Sequence, residues 1–350
     1  MKILVAGDWH SDIHEKPLSD AFIKLGHEVR PFSWHERYDA KTDLQKWMAR
    51  AESKFLIGPR IHQVNDDLFD EVKKFRPDIL FAYRGTHILP DTLDKIHKES
   101  PSTYLIGYNN DNPFSEKGTQ FGWRHFIASI PKYDLNLAYR HENMQDFAGA
   151  GAKRVELLRS WFIPERNRPV ELSAADKQKY SCDVAFIGHF EADGREQYLA
   201  EIVNRKFDFR LFGPEWNRVI DEVPELKKFN PVSSPRAEEY NKAINGARVG
   251  LCFLSKLNHD TYTRRCFEIP ATRRLLLSEF SEDLNSMFKE GVEADYFRSK
   301  DELIDKLDFY IKNPAIRERV AQAGYDKVFL AGHDVTSRAK QIINWYQEKW

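Results

Sequence analysis

The chain is poor in the residues that hold small secreted scaffolds together: it has three cysteines, Cys182, Cys252 and Cys266, among 350 residues. They are too few and too scattered for a disulfide framework or a zinc site, and each stands among apolar residues, so they read as reduced packing residues. No apolar run approaches the roughly eighteen residues of a membrane span, and the stretch Met1 to Ala6 is too short for a signal peptide. These absences predict a cytoplasmic protein with no transmembrane segment. An excess of charge is missing too. Lys and Arg number 53 against 54 Asp and Glu, so no global field recruits nucleic acid or an anionic membrane, and only a local basic groove could. Also absent are G-x-x-x-x-G-K-[ST], a G-x-G-x-x-G after the first strand, G-x-S-x-G and H-E-x-x-H. Their absence argues against P-loop hydrolysis, the dinucleotide fingerprint, an α/β-hydrolase and a helical metal site. His10 and His14, in "HSDIH", have a helical ligand spacing but precede the helix signal at Pro17, so no metal is expected.

What is present is apolar material in short, regularly spaced blocks. Hydrophobic residues make up 41% of the chain and aromatics 13%, enough for a large core and, at this length, for two domains. "KILVAG" is a strand of the kind buried on both faces of a parallel sheet. Leu18, Phe22 and Leu25 then share a helix face, Gly26 stops that helix, and "HEVRPF" follows as a second strand. The second half repeats the plan with "CDVAFIG", a helical stretch through Tyr198 and Ile202, and "FDFRLFG". The reading is α/β, two Rossmann-like domains at residues 1–165 and 166–332. A proline-containing, charged linker is expected near Ile163 to Tyr180, and residues 333–350 are expected to form a closing helix with an apolar stripe from Ala339 to Trp350. "SKDELIDKLDFYIKN" begins with a capping-box pattern, Ser299 with Glu302, and stops at Asn313-Pro314.

In open α/β sheets ligands bind beyond the C-terminal strand ends. His10, Asp12, Tyr83, Arg84 and the run Asn109, Asn110 and Asp111 all stand at such ends, and are expected to converge on one cleft. Trp9, Trp34 and Tyr83 are read as core residues ahead of sugar-stacking ones. In the second half, "HDTYTRRCFEIPATRRLLLSE" packs arginines around Glu268 just before an aliphatic strand. If Thr261 or Thr263 caps a short helix there, its first turn favours a phosphate, and Arg264 or Arg265 adds a fork of donors. Glu268, three residues after Arg265, could accept from the hydroxyls of a ribose. The competing reading is a plain helical ion pair between Arg265 and Glu268.

"YTRRCFEIPATRRLLLSE", followed by "LNSMFKEGVEADYFRSKDELIDKLDFYIKNPAIRERVAQAG", resembles the C-terminal domain of CgeB-like glycosyltransferases, the spore-maturation-protein type, related to the large retaining GT-B family. The likeness runs from about Cys182 to Gly332, with "YNNDNP" as a weaker match in the first half. It implies a GT-B architecture: two Rossmann-like domains facing across a cleft, a nucleotide-sugar donor on the second, and a last helix crossing back to the first. It also implies that no metal or other cofactor is needed, with a UDP-sugar the first candidate co-substrate. By this likeness Glu268 matches the second acid of an E-x7-E motif, and Asp260, with Tyr262 near it, falls at the donor sugar. Arg265 matches the R-x-F-E arginine, while Gly188, Arg195 and Lys256 approach the diphosphate. The family's alanine-cysteine-glycine turn reads Ala271-Thr272-Arg273 here.

The expected chemistry is glycosyl transfer to a hydroxyl acceptor, a glycan or a modified base in DNA, bound near Asp12, Tyr83, Arg84 and Asn110. Inversion of the anomeric centre would require a base, for which His10 and Asp111 are the candidates; retention would require none. A nucleotide-sugar epimerase and a non-catalytic nucleotide-sugar-binding protein are the rival readings.

Overall fold

The computed structural model describes residues 1–39, 42–115 and 120–348. Trp350, the expected end of the apolar stripe, lies outside them. The chain forms two compact units: Met1–Ser160 with the final stretch from Val335, and Trp161–Asp334.

The first unit is built on a six-stranded parallel sheet of β1 (Lys2–Gly7), β2 (Glu28–Ser33), β3 (Ile79–Tyr83), β4 (Tyr104–Asn109), β5 (Leu135–Ala138) and β6 (Val155–Leu157). Its order is β2-β1-β3-β4-β5-β6, so the winding reverses between β1 and β3, where open sheets hold their ligands. Ile3, Leu4, Val5 and Ala6 are wholly buried, because helices cover both faces of a parallel sheet. One face packs Leu4, Trp34, Leu68, Phe69, Leu80 and Leu105 into a single core. The helix Glu15–Lys24 follows β1 and ends at Gly26, whose φ of +85° suits a residue without a Cβ. The last helix, Val335–Gln347, packs against Glu15–Lys24. Its end is fixed by Tyr346 edge-on to Tyr104 and by Arg154, which donates to the Trp345 carbonyl at 3.2 Å and to Glu348 at 3.0 Å.

The second unit carries a five-stranded parallel sheet of β7 (Cys182–Ile187), β8 (Phe209–Phe212), β9 (Ala247–Cys252), β10 (Leu275–Glu279) and β11 (Asp295–Phe297). The order is β11-β10-β9-β7-β8, with the reversal between β7 and β9. Phe186, Leu211, Trp216, Val249, Leu251 and Leu277 are among its buried core residues. Ser299 caps the helix Lys300–Lys312 by accepting from the Glu302 N–H at 3.1 Å. The reciprocal half of the expected capping box is replaced, since the Glu302 carboxylate accepts the Arg298 N–H.

The charged stretch expected to be a linker belongs to the second unit, and the division falls at Ser160 and Trp161 rather than at 165 and 166. Trp161 and Phe162 are fully buried, and the Phe162 N–H donates to the His333 carbonyl. Further on, Asn241 and Asn245 both donate to the Arg168 carbonyl, and their side-chain oxygens accept the N–H groups of Arg168 and Val170. Ser173 then caps the helix Ala174–Tyr180. Two asparagines one helical turn apart thus replace the sheet partners that the segment lacks.

Two strand-end turns touch in this unit. A Cβ on Gly213, whose φ is +135°, would stand 2.0 Å from the Gly188 carbonyl oxygen. Gly213→Ala is expected to cost about 2 to 4 kcal/mol through backbone strain and displacement of that turn, read as a lowered denaturant midpoint for the second unit.

Candidate functional site

The turn after β7 is closed by charge. Arg195, the first residue of the helix Arg195–Asn204, has its side chain 1% exposed. Its guanidinium grips Asp193 through Nε at 2.8 Å and Nη2 at 2.6 Å, donates to the His189 carbonyl at 3.0 Å, and lies 3.3 Å from Glu191. The expectation that Arg195 meets a diphosphate is therefore corrected: its donors are turned inward and shape the loop. Burial alone would raise the Glu191 carboxyl, but hydrogen bonding from His189 and the charge of Arg195 bring it below the ordinary carboxylate value.

Arg265 and Glu268 lie on the helix Arg265–Ala271. The Arg265 guanidinium carbon would sit 3.4 Å from a Cβ on Gly188, so the guanidinium lies under the end of β7. Its Nε is buried without a hydrogen-bond partner. Glu268 is buried and accepts from the Tyr240 hydroxyl at 2.5 Å. Burial raises its carboxyl pKa, against the opposing pull of Arg264, Tyr240 and Arg265. Neither threonine caps this helix. Thr261 Oγ1 donates to Asp283 and Thr263 Oγ1 contacts the Cys252 sulfur at 3.3 Å, while the N-cap position is Arg264, whose side chain makes no capping bond. The three cysteines are free and buried, with the sulfurs of Cys252 and Cys266 3.8 Å apart.

Beyond the C-terminal ends of β9, β10 and β11 lies a cavity of about 520 Å³, lined by Lys256, Asp260, Glu279 and Arg298 among others. Lys256 is exposed at its edge, where Nζ donates to the Asp193 carbonyl at 3.2 Å. Asp260 is held there by its own N–H on the Ser255 carbonyl. Tyr262 is not part of it: the ring is 0% exposed and packs on Phe267, so its expected contact with a donor sugar is corrected. Glu279 and Tyr240 were not anticipated. Glu279 accepts the Leu254 N–H at 2.7 Å, and burial raises its carboxyl pKa. Its one sequence signal is an acid closing an aliphatic strand.

In the first unit the corner after β1 is filled from within. Glu15 is buried, accepts the Asp8 N–H at 3.0 Å, and stands where a Cβ on Gly7 would meet its Oε1 at 2.4 Å. This is the corner where a βαβ unit would hold a phosphate. The expected acceptor residues fall into two groups. His10 is exposed, with its ring 5.0 Å from that of His35, and Asp12 lies on the same exposed loop. Arg84 and Asp111 form an ion pair beyond β3 and β4, and the neighbouring Asn110 carbonyl accepts from Arg140. Pairing with Arg84 engages the Asp111 carboxylate that a base would need. Tyr83 is corrected, because it is 0% exposed between the rings of His14 and Tyr108. A second cavity, of about 530 Å³, opens beside Asp8, His35 and His87. Among the described residues no group of three or more His, Cys, Asp or Glu could hold a metal ion, and no helix is long and apolar enough to cross a membrane.

The same architecture recurs in solved structures. Sucrose-phosphate synthase of Thermosynechococcus elongatus superposes with a TM-score of 0.73 at 11% identity over 99% of this chain and 98% of that one. Anabaena HepE in complex with UDP and glucose gives 0.67 at 13% identity, over 99% and 100%. This chain has the GT-B fold. A glycosyltransferase of Rickettsia africae gives 0.69 at 12% identity, over 99% and 98%. Within this GT-B chain, residues 195–344 match a family model described as glycosyl transferase-like, a span that holds Lys256, Asp260, Arg265, Glu268 and Glu279. No curated protein matches the sequence significantly.

Two outcomes follow from these geometries. Arg195→Ala would leave Asp193 without its cation and Glu191 with only His189 and Ser255, and should cost about 3 to 5 kcal/mol of stability, measured by chemical denaturation. His87 supplies the pH dependence. Burial first, then the charges of His125, Arg84 and His35, lower it from the ordinary histidine value to about 4. Between that value and about 6.5 the unfolded chain binds the extra proton. Stability from His87 is therefore complete above about pH 6.5 and is lost as the pH falls towards 4. Hydrogen exchange of the β3 amides should follow this slope, and His87→Phe should flatten it.

Proposed function

We propose that the protein is a glycosyltransferase that moves a sugar from a nucleoside diphosphate sugar, a UDP-sugar being the first candidate, to a hydroxyl acceptor. One observation carries this reading: the residues spanned by the glycosyl transferase-like match are the ones gathered around the C-terminal ends of β9 and β10, in a chain with the GT-B fold. HepE, with the same fold, binds UDP and glucose, which supports UDP as the nucleotide. The Arg265-x-Phe267-Glu268 core before an aliphatic strand supports the CgeB-like branch, with glycoconjugate synthesis as the setting.

In this reading Lys256 and Arg265 stabilise the negative charge that develops on the departing diphosphate. Arg265 is suited to the task because its Nε is already desolvated and unpaired. Glu268, oriented by Tyr240, accepts from the ribose, and Asp260 reaches the donor sugar. The charge is supplied by this chain's side chains, without a metal or other cofactor. The acceptor belongs to the first unit, where His10 is the better-placed base should the anomeric centre invert, since Asp111 is engaged by Arg84. If the configuration is retained, His10 orients the acceptor.

Calorimetry of the full chain against UDP, GDP, CDP, TDP and ADP, with and without magnesium, tests the donor site. UDP is expected to bind without metal. Lys256→Ala and Glu268→Gln should each weaken it by about 1.5 to 3 kcal/mol, roughly 10- to 100-fold. Variants that bind UDP like the unaltered chain would remove these residues from the site, and a chain that binds no diphosphate would sink the nucleotide-sugar reading. Release of UDP that requires an added acceptor separates transfer from epimerisation, and salt-dependent duplex binding would point to a hydroxylated base in DNA.

A further inference from the structure

The cavity of about 530 Å³ in the first unit lies beyond the C-terminal ends of β1, β2 and β3, at the point where the sheet reverses its winding. Its wall and its rim differ in chemistry. The wall is Trp34, Tyr38 and His87, with His87 stacked on Trp34 at 5.3 Å and edge-on to Tyr38 at 5.4 Å. Tyr38 and His87 meet the cavity through other atoms, since the Tyr38 hydroxyl and His87 Nε2 are buried and without a hydrogen-bond partner.

The rim comes from the helix Asp43–Phe55, which presents Lys46, Arg50 and Lys54 to the cavity at successive turns, one above another. Lys46 has Asp43 at 3.4 Å and Lys54 lies over the Phe55 ring. Arg50 has no hydrogen-bond or ion-pair partner among the described residues. The acids facing this rim are Asp8 and Asp39, and Asp8 is engaged by His35 at 3.4 Å. A stripe of three cations with one guanidinium unspent, above an aromatic wall, matches a molecule with a negative group at one end and a ring at the other.

We propose that this cavity takes the acceptor, and that the acceptor is an anionic saccharide bearing a phosphate monoester or a carboxylate. The anion lies on Arg50 and Lys54, and the sugar ring lies toward Trp34, Tyr38 and His87. Naming it a saccharide acceptor rests on the glycosyltransferase reading; the binding of an anion does not. The chemistry also places the reaction downstream of one that phosphorylates or oxidises a sugar.

Calorimetry of the full chain with glucose, glucose 6-phosphate and glucuronate tests the idea, with UDP titrated in parallel as a reading of the second unit. At least one anionic sugar should bind about tenfold or more tightly than glucose, and lose that advantage as salt is raised. The arm that binds tells phosphate from carboxylate. Arg50→Ala/Lys54→Ala, which alters exposed residues only, should abolish the preference, whereas Lys16→Ala, a cation on another helix, should keep it. Equal binding of neutral and anionic sugars, binding of none at millimolar concentration, or a preference that survives the double substitution would each overturn the proposal. Arg50-dependent binding of an anionic sugar by a chain that binds no UDP would leave this site standing and remove the transferase reading.

Discussion

Each sheet of this protein opens with a buried parallel strand that runs into a helix, and the backbone donors at that corner need partners, because buried donors left alone are costly. The two units meet the same demand in different ways. The first lays the Glu15 carboxylate on the end of β1. The second pairs the Gly188 and Phe190 N–H groups with the Phe212 and Pro214 carbonyls and folds Asp193 and Glu191 around the buried Arg195. The rest of each site takes its shape from that choice.

In the second unit, the inward charges of the β7 turn bring its loop against β8, and the Gly188 and Gly213 turns pack without side chains between them. This leaves room for the Arg265 guanidinium beneath Gly188. Lys256 meets that loop only at the Asp193 carbonyl, and Arg265 Nε is left without a partner. In the first unit, Glu15 spares the basic residues from service at the strand end. Arg50, which has no hydrogen-bond or ion-pair partner among the described residues, stands instead on a helix over the cavity.

The fold was legible because its signal is redundant. The central strands of both sheets are compact apolar blocks, and both halves repeat the same strand, helix and turn grammar. Lys256 was expected at the end of β9 and lies just beyond it, at the edge of the cavity, and Arg265 and Glu268 share the helix that their spacing suggested. What escaped depends on direction. Nothing in the spacing of Arg195 tells whether its guanidinium faces a ligand or Asp193, and Tyr83 and Tyr262 look like site aromatics until the rings that cover them are placed. The stretch from Ile163 to Tyr180 looked like a linker because composition does not register Asn241 and Asn245, which pair its backbone from a helix about seventy residues further along. The cationic rim escaped for a related reason: Lys46, Arg50 and Lys54 are ordinary on a surface helix, and only their placement around the cavity with Trp34, Tyr38 and His87 singles them out.

Glu15 carries a consequence of a different kind. A carboxylate bonded to the Asp8 N–H, just past the first strand, is a resident anion that no dilution removes, and it repels any phosphate approaching that corner. A nucleotide phosphate would have to displace a tethered anion to take the place that a βαβ turn ordinarily offers it, so this corner is closed while the cavity beside it stays open.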